Sequence, residues 1–234
     1  MRLQLGCWFS ILPGLLAVVL SGCSTVEKKT PEQAVVQVQP SLAEVEQYYQ
    51  KGLASDDRRD YTVAAQWYRK AADQGYAKAQ YNLGAAYAQG QGVPKDLQEA
   101  VKWFRKAADQ GFAQAQYNLG IAYAHGLGVN QDYQAAAEWY RKAAEQGFAK
   151  AQYNLGVMYR RGQGVTPDPV MAYVWLSLSA AQGYKDAQSA QRAAAKSLTA
   201  AQRKSANQQV QEYSQKYKTS SQQPCSSCGA PTAG

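Results

Sequence analysis

The sequence predicts an all-α protein whose central part is a solenoid of stacked helix-turn-helix repeats. Two observations predict this fold. The hexapeptide Ala79–Gly84, Ala-Gln-Tyr-Asn-Leu-Gly, returns at Ala115–Gly120 and again at Ala151–Gly156, a step of 36 residues each time. Tryptophans and glycines keep the same step: Trp67, Trp103, Trp139, Trp175 and Gly75, Gly111, Gly147, Gly183. A period of this length is typical of supersecondary units that must stack, because one unit cannot bury its own apolar face.

The first 22 residues predict a secretory signal peptide. They carry a single charge, Arg2, before an apolar run that is too short and too poorly flanked for a permanent membrane span. The run ends in Leu20-Ser-Gly-Cys23, which resembles the lipobox of bacterial lipoproteins. That resemblance implies that Cys23 becomes the acylated mature N-terminus, and Ser24 after it implies the outer membrane, facing the periplasm. The alternative is a chance tetrapeptide inside an ordinary signal or anchor.

Two segments outside the repeats are predicted to lack regular structure. Residues 23–40 show no periodicity and are interpreted as a tether that spans at most about 60 Å when fully extended. The tail 218–234 is rich in Ser, Gln, Pro and Gly and is predicted to be disordered. It contains Cys225 and Cys228. Redox activity would need a strand-helix context and a zinc site two more ligands, so a disulfide in an oxidising compartment is predicted.

Each repeat is predicted to contain two helices, A and B. In the second repeat, helix A covers about Ala77–Gln89 and is ended by Gly90 and Gly92. Helix B follows Asp96, where Asp-x-x-Glu99 predicts a capping box, and ends at Gly111. Aspartates hold the equivalent position in the other repeats: Asp60, Asp132 and Asp168.

The two ends of the repeat region are predicted to differ from its middle. The first repeat lacks the Gly-x-Gly-Val turn, but Ser41-x-x-Glu44 predicts a capping box, so it is interpreted as an N-terminal cap. After residue 186 the pattern fades into a helix to about Ala195. Thr199-x-x-Gln202 then opens a polar helix to about Tyr217. Residues 187–217 are therefore predicted to cover the open end of the stack.

The full repeat pattern, A-x-x-x-L-G-x-x-Y-x-x-G-x-G-V-x-x-D-x-x-x-A-x-x-W-x-x-x-A-A-x-x-G, resembles the Sel-one-like repeats, relatives of tetratricopeptide repeats. Three complete copies and one abbreviated copy cover residues 41–186. The resemblance implies a right-handed α-solenoid that acts as a protein-interaction scaffold, with a concave groove lined by helices A. By analogy, the two residues before the helix A leucine face this groove: Tyr81, Asn82, Tyr117, Asn118, Tyr153 and Asn154. Tyr49 is in register with Tyr81 and is a candidate fourth tyrosine.

The chemistry of these side chains suits an extended ligand. Asparagine carries a donor and an acceptor and can grip a peptide backbone without demanding a sequence. Tyrosine offers apolar area with a polar tip, for peptide side chains or sugar rings. The alternative is that the asparagines only tie neighbouring helices together. Basic residues on helices A are predicted to make one end of the groove positive and to favour a carboxylate-bearing partner: Lys78, Lys150, Arg160 and Arg161. The two arginines alternatively form a solvated helix end.

Helix B carries a second basic set that is predicted to be solvated. It comprises Arg69-Lys70, Arg105-Lys106 and Arg141-Lys142. An acidic residue follows each arginine by four positions, at Asp73, Asp109 and Glu145, which predicts local ion pairs.

The sequence does not favour catalysis. His125 is the only histidine, so neither a Ser–His–Asp triad nor a histidine metal site can be assembled, and no cofactor or metal is expected. Some cysteine-rich relatives are linked to β-lactam hydrolysis, but they carry a cysteine pair in each repeat, which this chain lacks. The charge of +8, or +7 without residues 1–22, favours an envelope protein or peptide partner over nucleic acid in an exported protein. A glycan, either peptidoglycan or an anionic polysaccharide, is the alternative partner.

Overall fold

The computed structural model describes residues 40–221, with side chains to Tyr217. This part contains ten α-helices and no strand, which confirms the all-α prediction. The helices are α1 (Leu42–Asp57), α2 (Tyr61–Asp73), α3 (Ala77–Gln89), α4 (Leu97–Asp109), α5 (Ala113–His125), α6 (Tyr133–Glu145), α7 (Ala149–Arg161), α8 (Pro169–Ala181), α9 (Lys185–Lys196) and α10 (Ala200–Ser221). None of these helices has the length and apolarity to cross a lipid bilayer. The predicted signal peptide, the lipidation site Cys23 and the Cys225–Cys228 pair lie outside the described residues.

The helices form a linear stack of pairs. The odd-numbered helices α1 to α7 are helices A and pack on the helices B that follow them, α2 to α8. Each helix B also packs on helix A of the next repeat. Contacts therefore run between neighbours, as in a solenoid whose stability is built from single repeats and their interfaces.

The helix starts follow the predicted caps, with one correction. Ser41 and Glu44 form a reciprocal capping box, and so do Thr199 and Gln202. The Asp96 carboxylate accepts from the backbone N–H groups of residues 98 and 99 at 2.9 and 3.0 Å. The prediction that the Glu99 side chain accepts from the backbone N–H of Asp96 was wrong. Glu99 instead pairs with Lys102 at 3.0 Å, because a lysine three residues on competes for its carboxylate.

Glycine on helix A allows helix B to come close. A Cβ at Gly84 would lie 2.7 Å from the ring of Phe104, and one at Gly120 would lie 2.4 Å from the ring of Tyr140. Gly52 receives the ring of Tyr68 in the same way. Each of these glycines therefore accommodates a large aromatic side chain of its own helix B.

The loop between helices A and B packs on the preceding repeat. Its second glycine has a positive φ, and a Cβ there would overlap the backbone carbonyl of the first residue of the preceding helix B. That oxygen would lie 1.9 Å away at Gly92, 2.2 Å at Gly128 and 2.1 Å at Gly164. The first repeat has no preceding helix B, which explains why it can lack this loop.

The last repeat is covered by α10. This helix packs on α8, where the ring of Trp175 lies 5.6 Å from Tyr213 and 6.0 Å from Tyr217 between centroids. Burial raises the pKa of Tyr217 to about 12. Leu178 stands where earlier repeats have a lysine whose ammonium lies over a tryptophan ring, at 3.8 Å for Lys106. A helix can therefore dock on this face of α8 where earlier repeats hold a cation.

Candidate functional site

The helices A present one row of recurring side chains, which we call the A-helix surface. All of its tyrosines and asparagines are half-buried, so each is both packed and accessible. Its members are Tyr49, Tyr81, Tyr117, Tyr153, Asn82, Asn118 and Asn154, with the half-buried apolar residues Leu53, Ala85, Ile121 and Val157 one turn further along. This apolar stripe was not singled out from the sequence, because its residue type varies between repeats.

The tyrosines are held in place by rings from two helices. Tyr81 lies 5.8 Å from Phe104 on its own helix B and 5.2 Å from Phe112 at the start of the next repeat. Tyr117 contacts Tyr140 and Phe148 in the same manner, at 5.8 and 5.1 Å. These contacts join adjacent repeats and fix the rings, so the tyrosines offer a rigid surface.

Two of the three asparagines reach back to the preceding repeat. The Asn82 amide acts to lower the pKa of the Tyr49 and Tyr68 hydroxyls, which places it beside them. Asn154 does the same with Tyr117 and Tyr140. Burial raises the pKa of all four phenols above the ordinary 10.0, while the neighbouring asparagine amides act in the opposite direction. The alternative interpretation, that the asparagines tie neighbouring helices together, therefore fits Asn82 and Asn154.

The basic residues of the A-helix surface do not gather at one end of it. Lys78 and Lys150 lie exposed in the first turns of α3 and α7. Arg160 and Arg161 lie exposed in the last turn of α7, about 15 Å along the axis from Lys150 at 1.5 Å per residue. Positive charge consequently lies at both ends of α7. The two arginines also interact favourably with the negative C-terminal end of the helix dipole.

The arginines of helix B have different partners from those predicted. In the described part of the chain the single ion pair joins Lys102 and Glu99, so the predicted pairs with acids four residues on were wrong. Arg69, Arg105 and Arg141 instead donate to the hydroxyls of Tyr87, Tyr123 and Tyr159 in the next repeat. A planar guanidinium gains more by stacking on rings at a half-buried seam than from an exposed ion pair, which contributes little.

A ladder of glutamines was missed from the sequence. Gln80, Gln116 and Gln152 are buried, and each donates to the carbonyl eight residues before it at 3.1 Å. Their side-chain oxygens accept from glutamines at the end of the following helix B, at 2.7 to 2.8 Å: Gln110, Gln146 and Gln182. A polar residue that recurs beside the core leucine was the available signal, since a buried amide needs partners.

Two surface depressions lie apart from the A-helix surface. Two surface depressions of about 940 and 350 Å³ lie along the A–B loops of the third and fourth repeats, and neither contains a residue of the A-helix surface. Among the described residues no three His, Cys, Asp or Glu side chains are grouped to hold a metal ion. The A-helix surface runs along helices of all four repeats, so its length suits an extended chain.

Comparison with known proteins identifies the same repeats by sequence and by structure. The model of the Sel1 repeat family matches residues 41–76, 77–112, 113–148 and 149–184. A Sel1 repeat protein from Oxalobacter formigenes has a similar structure, with a TM-score of 0.62 and 35% identity over 75% of this chain and 73% of that one.

Two further similarities cover less of the relatives. The protein c5321, described as a protective antigen in uropathogenic Escherichia coli strains displaying an SLR fold, gives a TM-score of 0.54 at 31% identity over 81% of this chain and 49% of its own. DAP3-binding cell death enhancer 1 of Rattus norvegicus and of Mus musculus is 52% identical over 40 residues, 17% of this chain. The match spans only 8% of those curated relatives. The four matched repeats and the similarity to a Sel1 repeat structure show that the chain belongs to the Sel1 repeat family.

Proposed function

We propose that this chain is a non-catalytic adaptor that docks a partner protein of the bacterial cell envelope on its A-helix surface. Sel1 repeat proteins generally act as protein-interaction scaffolds and are typically non-catalytic. The observation that carries the proposal is the rigid row of half-buried tyrosines and asparagines, flanked by exposed lysines and arginines. Rigid amphipathic side chains bind a partner with little further loss of conformational entropy.

Charge and shape indicate the kind of partner. Lys78, Lys150, Arg160 and Arg161 lie around the row, so an acidic segment would be attracted to it and held by charge-assisted hydrogen bonds. The half-buried aliphatic stripe offers contact area for apolar side chains between the acids.

Ring packing favours protein over glycan as the partner. Sugar binding of the stacking type needs an open aromatic face, whereas Tyr81 and Tyr117 each pack against two other rings. A glycan ligand predicts heat or fluorescence signals in titration with soluble peptidoglycan fragments, and we expect none.

The envelope location rests on the N-terminal sequence. An apolar leader that ends in Leu-Ser-Gly-Cys23 supports export and acylation, and Ser24 supports the outer membrane facing the periplasm. Acyl chains at Cys23 would hold the protein stably at the membrane, since two lipid signals suffice. Metabolic labelling with an alkyne fatty acid should mark the wild-type chain and not Cys23→Ser. A label retained by the variant would contradict lipidation at this residue.

The docking proposal is tested by charge reversal. The double variant Lys78→Glu with Lys150→Glu should lose most of the protein that crosslinks to the wild-type chain in intact envelopes. Lys196→Glu with Lys204→Glu makes the same change of net charge on exposed residues of α9 and α10 and serves as the control. Equal recovery of crosslinked partner by wild type and the first variant, with unchanged circular dichroism, would refute docking on the A-helix surface.

A further inference from the structure

At the first two boundaries between repeats, the helix B arginine lies over aromatic rings of the next repeat. The guanidinium carbon of Arg105 is 5.6 Å from the ring centroid of Tyr123 and 4.8 Å from that of Trp139. Arg69 lies 5.6 and 5.8 Å from the equivalent rings of the repeat before. Two rings therefore attract the charge of each of these arginines.

At the third boundary the C-terminal helix occupies the face of the tryptophan. The ring of Trp175 packs against Tyr213 and Tyr217 of α10, at 5.6 and 6.0 Å between centroids. Arg141 keeps the hydrogen bond to the helix A tyrosine of the next repeat, Tyr159, at 3.2 Å. The cation–π contacts within residues 40–217 do not include Arg141. Its guanidinium is therefore less enclosed by rings than that of Arg69 or Arg105.

Arg141 lines the surface depression of about 350 Å³ beside the A–B loop of the fourth repeat. Arg105, one boundary earlier, does not line the larger depression beside its own loop. Within residues 40–217 the single ion pair joins Lys102 and Glu99, so the half-buried guanidinium of Arg141 has no carboxylate partner there. The other residues that line its depression are Tyr159, Val165, Thr166, Pro167 and Asp168.

We propose that this depression binds the C-terminal carboxylate of a partner polypeptide, with Arg141 as the anchor. A guanidinium presents parallel N–H groups that match the two oxygens of a carboxylate. The Tyr159 hydroxyl accepts its bond from Arg141, so its own hydrogen remains to be donated, and the Thr166 hydroxyl is a second donor. The depression contains no residue of the A-helix surface, so this inference goes beyond the proposed docking and does not depend on it.

Asp168 makes a chain terminus a better fit than an acidic side chain. One oxygen of its carboxylate accepts from the backbone N–H groups of residues 170 and 171, at 2.8 and 3.0 Å. This negative charge repels an isolated carboxylate but can accept from a donor beside it. The last residue of a polypeptide carries a carboxylate for Arg141 and, on the same Cα, a backbone N–H for Asp168. Val165 and Pro167 offer apolar contact to its side chain.

The repeats supply matched variants for the test. Arg141→Gln removes the guanidinium from the depression. Arg69→Gln is its control, because it removes the same arginine–tyrosine bond at the first boundary. Thr166→Glu places a repelling charge at an exposed loop residue of the depression, where loss of folding is not expected. Asn130→Glu makes the same change of charge at the equivalent exposed position of the third repeat.

The probe is an array of synthetic octapeptides of varied sequence, each made with a free C-terminal carboxylate and with a C-terminal amide. The peptide whose free acid binds most strongly relative to its amide is titrated calorimetrically into the full-length chain in detergent. Arg141→Gln and Thr166→Glu should each weaken binding of the free acid about tenfold or more, as expected for losing a charge-assisted hydrogen bond. Arg69→Gln and Asn130→Glu should stay within about threefold of wild type, because these sites lie away from the depression.

Three outcomes would overturn the inference. The first is an array in which no free acid binds more tightly than its amide. The second is a preference for the free acid that Arg141→Gln and Thr166→Glu leave intact, or that Arg69→Gln reduces as much as Arg141→Gln does. The third is equal binding by an amidated peptide with a glutamate at its last position, which would exclude recognition of a chain terminus. Failure of docking on the A-helix surface is a separate result, because Lys78→Glu with Lys150→Glu should leave the preference for the free acid unchanged.

Discussion

The loop glycine at the boundary between the second and third repeats permits a quantitative test of how the stack is held together. Gly128 has φ +73°, and a Cβ there would lie 2.2 Å from the carbonyl oxygen of Leu97, the first residue of α4. Gly111, at the same boundary, has φ +87° and nothing within 4 Å of a Cβ. Substituting alanine at both positions separates backbone strain from the contact between repeats.

Backbone strain and the contact between repeats are expected to lower the free energy of unfolding by different amounts. Left-handed backbone conformation costs a non-glycine residue about 1–2 kcal/mol, and Gly111→Ala should cost no more than that. Gly128→Ala adds an overlap with backbone that cannot rotate away, and displacement of packed structure costs a further 1–3 kcal/mol or so. The difference between the variants should lower the melting temperature of Gly128→Ala by a further 2–12 °C or so, at about 2–4 °C per kcal/mol for a chain of this size.

The measurement is thermal and urea unfolding followed by circular dichroism at 222 nm, on the two variants and wild type. Gly92→Ala and Gly164→Ala should repeat the result of Gly128→Ala, because their Cβ atoms would meet the equivalent carbonyls of Tyr61 and Tyr133. Equal destabilisation by Gly111→Ala and Gly128→Ala would refute the view that the loop glycine serves the contact between repeats.

Three further changes test other contacts. Gln146→Ala leaves the oxygen of buried Gln116 without its donor and should lower the free energy of unfolding by about 1–3 kcal/mol, whereas Gln74→Ala, at the exposed end of α2, should cost less. Equal losses in urea titration would contradict the glutamine ladder. Hydrogen bonds from Tyr76 and Gln50 hold the pKa of Glu46 below its usual 4.5, so the stabilisation is present above about pH 4.5 and is lost as the pH falls through the folded pKa. The difference in melting temperature between wild type and Glu46→Gln should therefore shrink from pH 7 to about pH 3, and a constant difference would exclude this linkage. Tyr213→Ala with Tyr217→Ala should remove about 3–5 kcal/mol by uncovering Trp175, while the exposed pair Gln208→Ala with Gln211→Ala should be close to neutral in the same melts.

The local sequence pattern was sufficient to predict where these helices begin and end. The recurring Ala79–Gly84 hexapeptide, the capping residues and the loop glycines predicted α3 as Ala77–Gln89 and the start of α4 after Asp96, and the structure has both. These features are predictable because periodicity and capping act within a few residues, and a capping side chain reaches only the first turn of its own helix.

The partners of long side chains were not predictable in this way. Arg69 has an acid four residues on, but it donates to Tyr87, and Glu99 binds Lys102 instead of completing its box. Both outcomes depend on which groups the next turn or the next repeat brings near, and these neighbours compete at comparable energies.

The sequence by itself determined the class of fold, the number of repeats and the side chains that recur on helices A. Tertiary structure alone decided how those side chains are used. Stacking brings the hydroxyl of Tyr159 on helix A to the guanidinium of Arg141 in the preceding repeat, which donates to it. The physical reason is that a hydrogen bond between residues of different repeats exists only when packing brings donor and acceptor within about 3 Å, which no local pattern specifies.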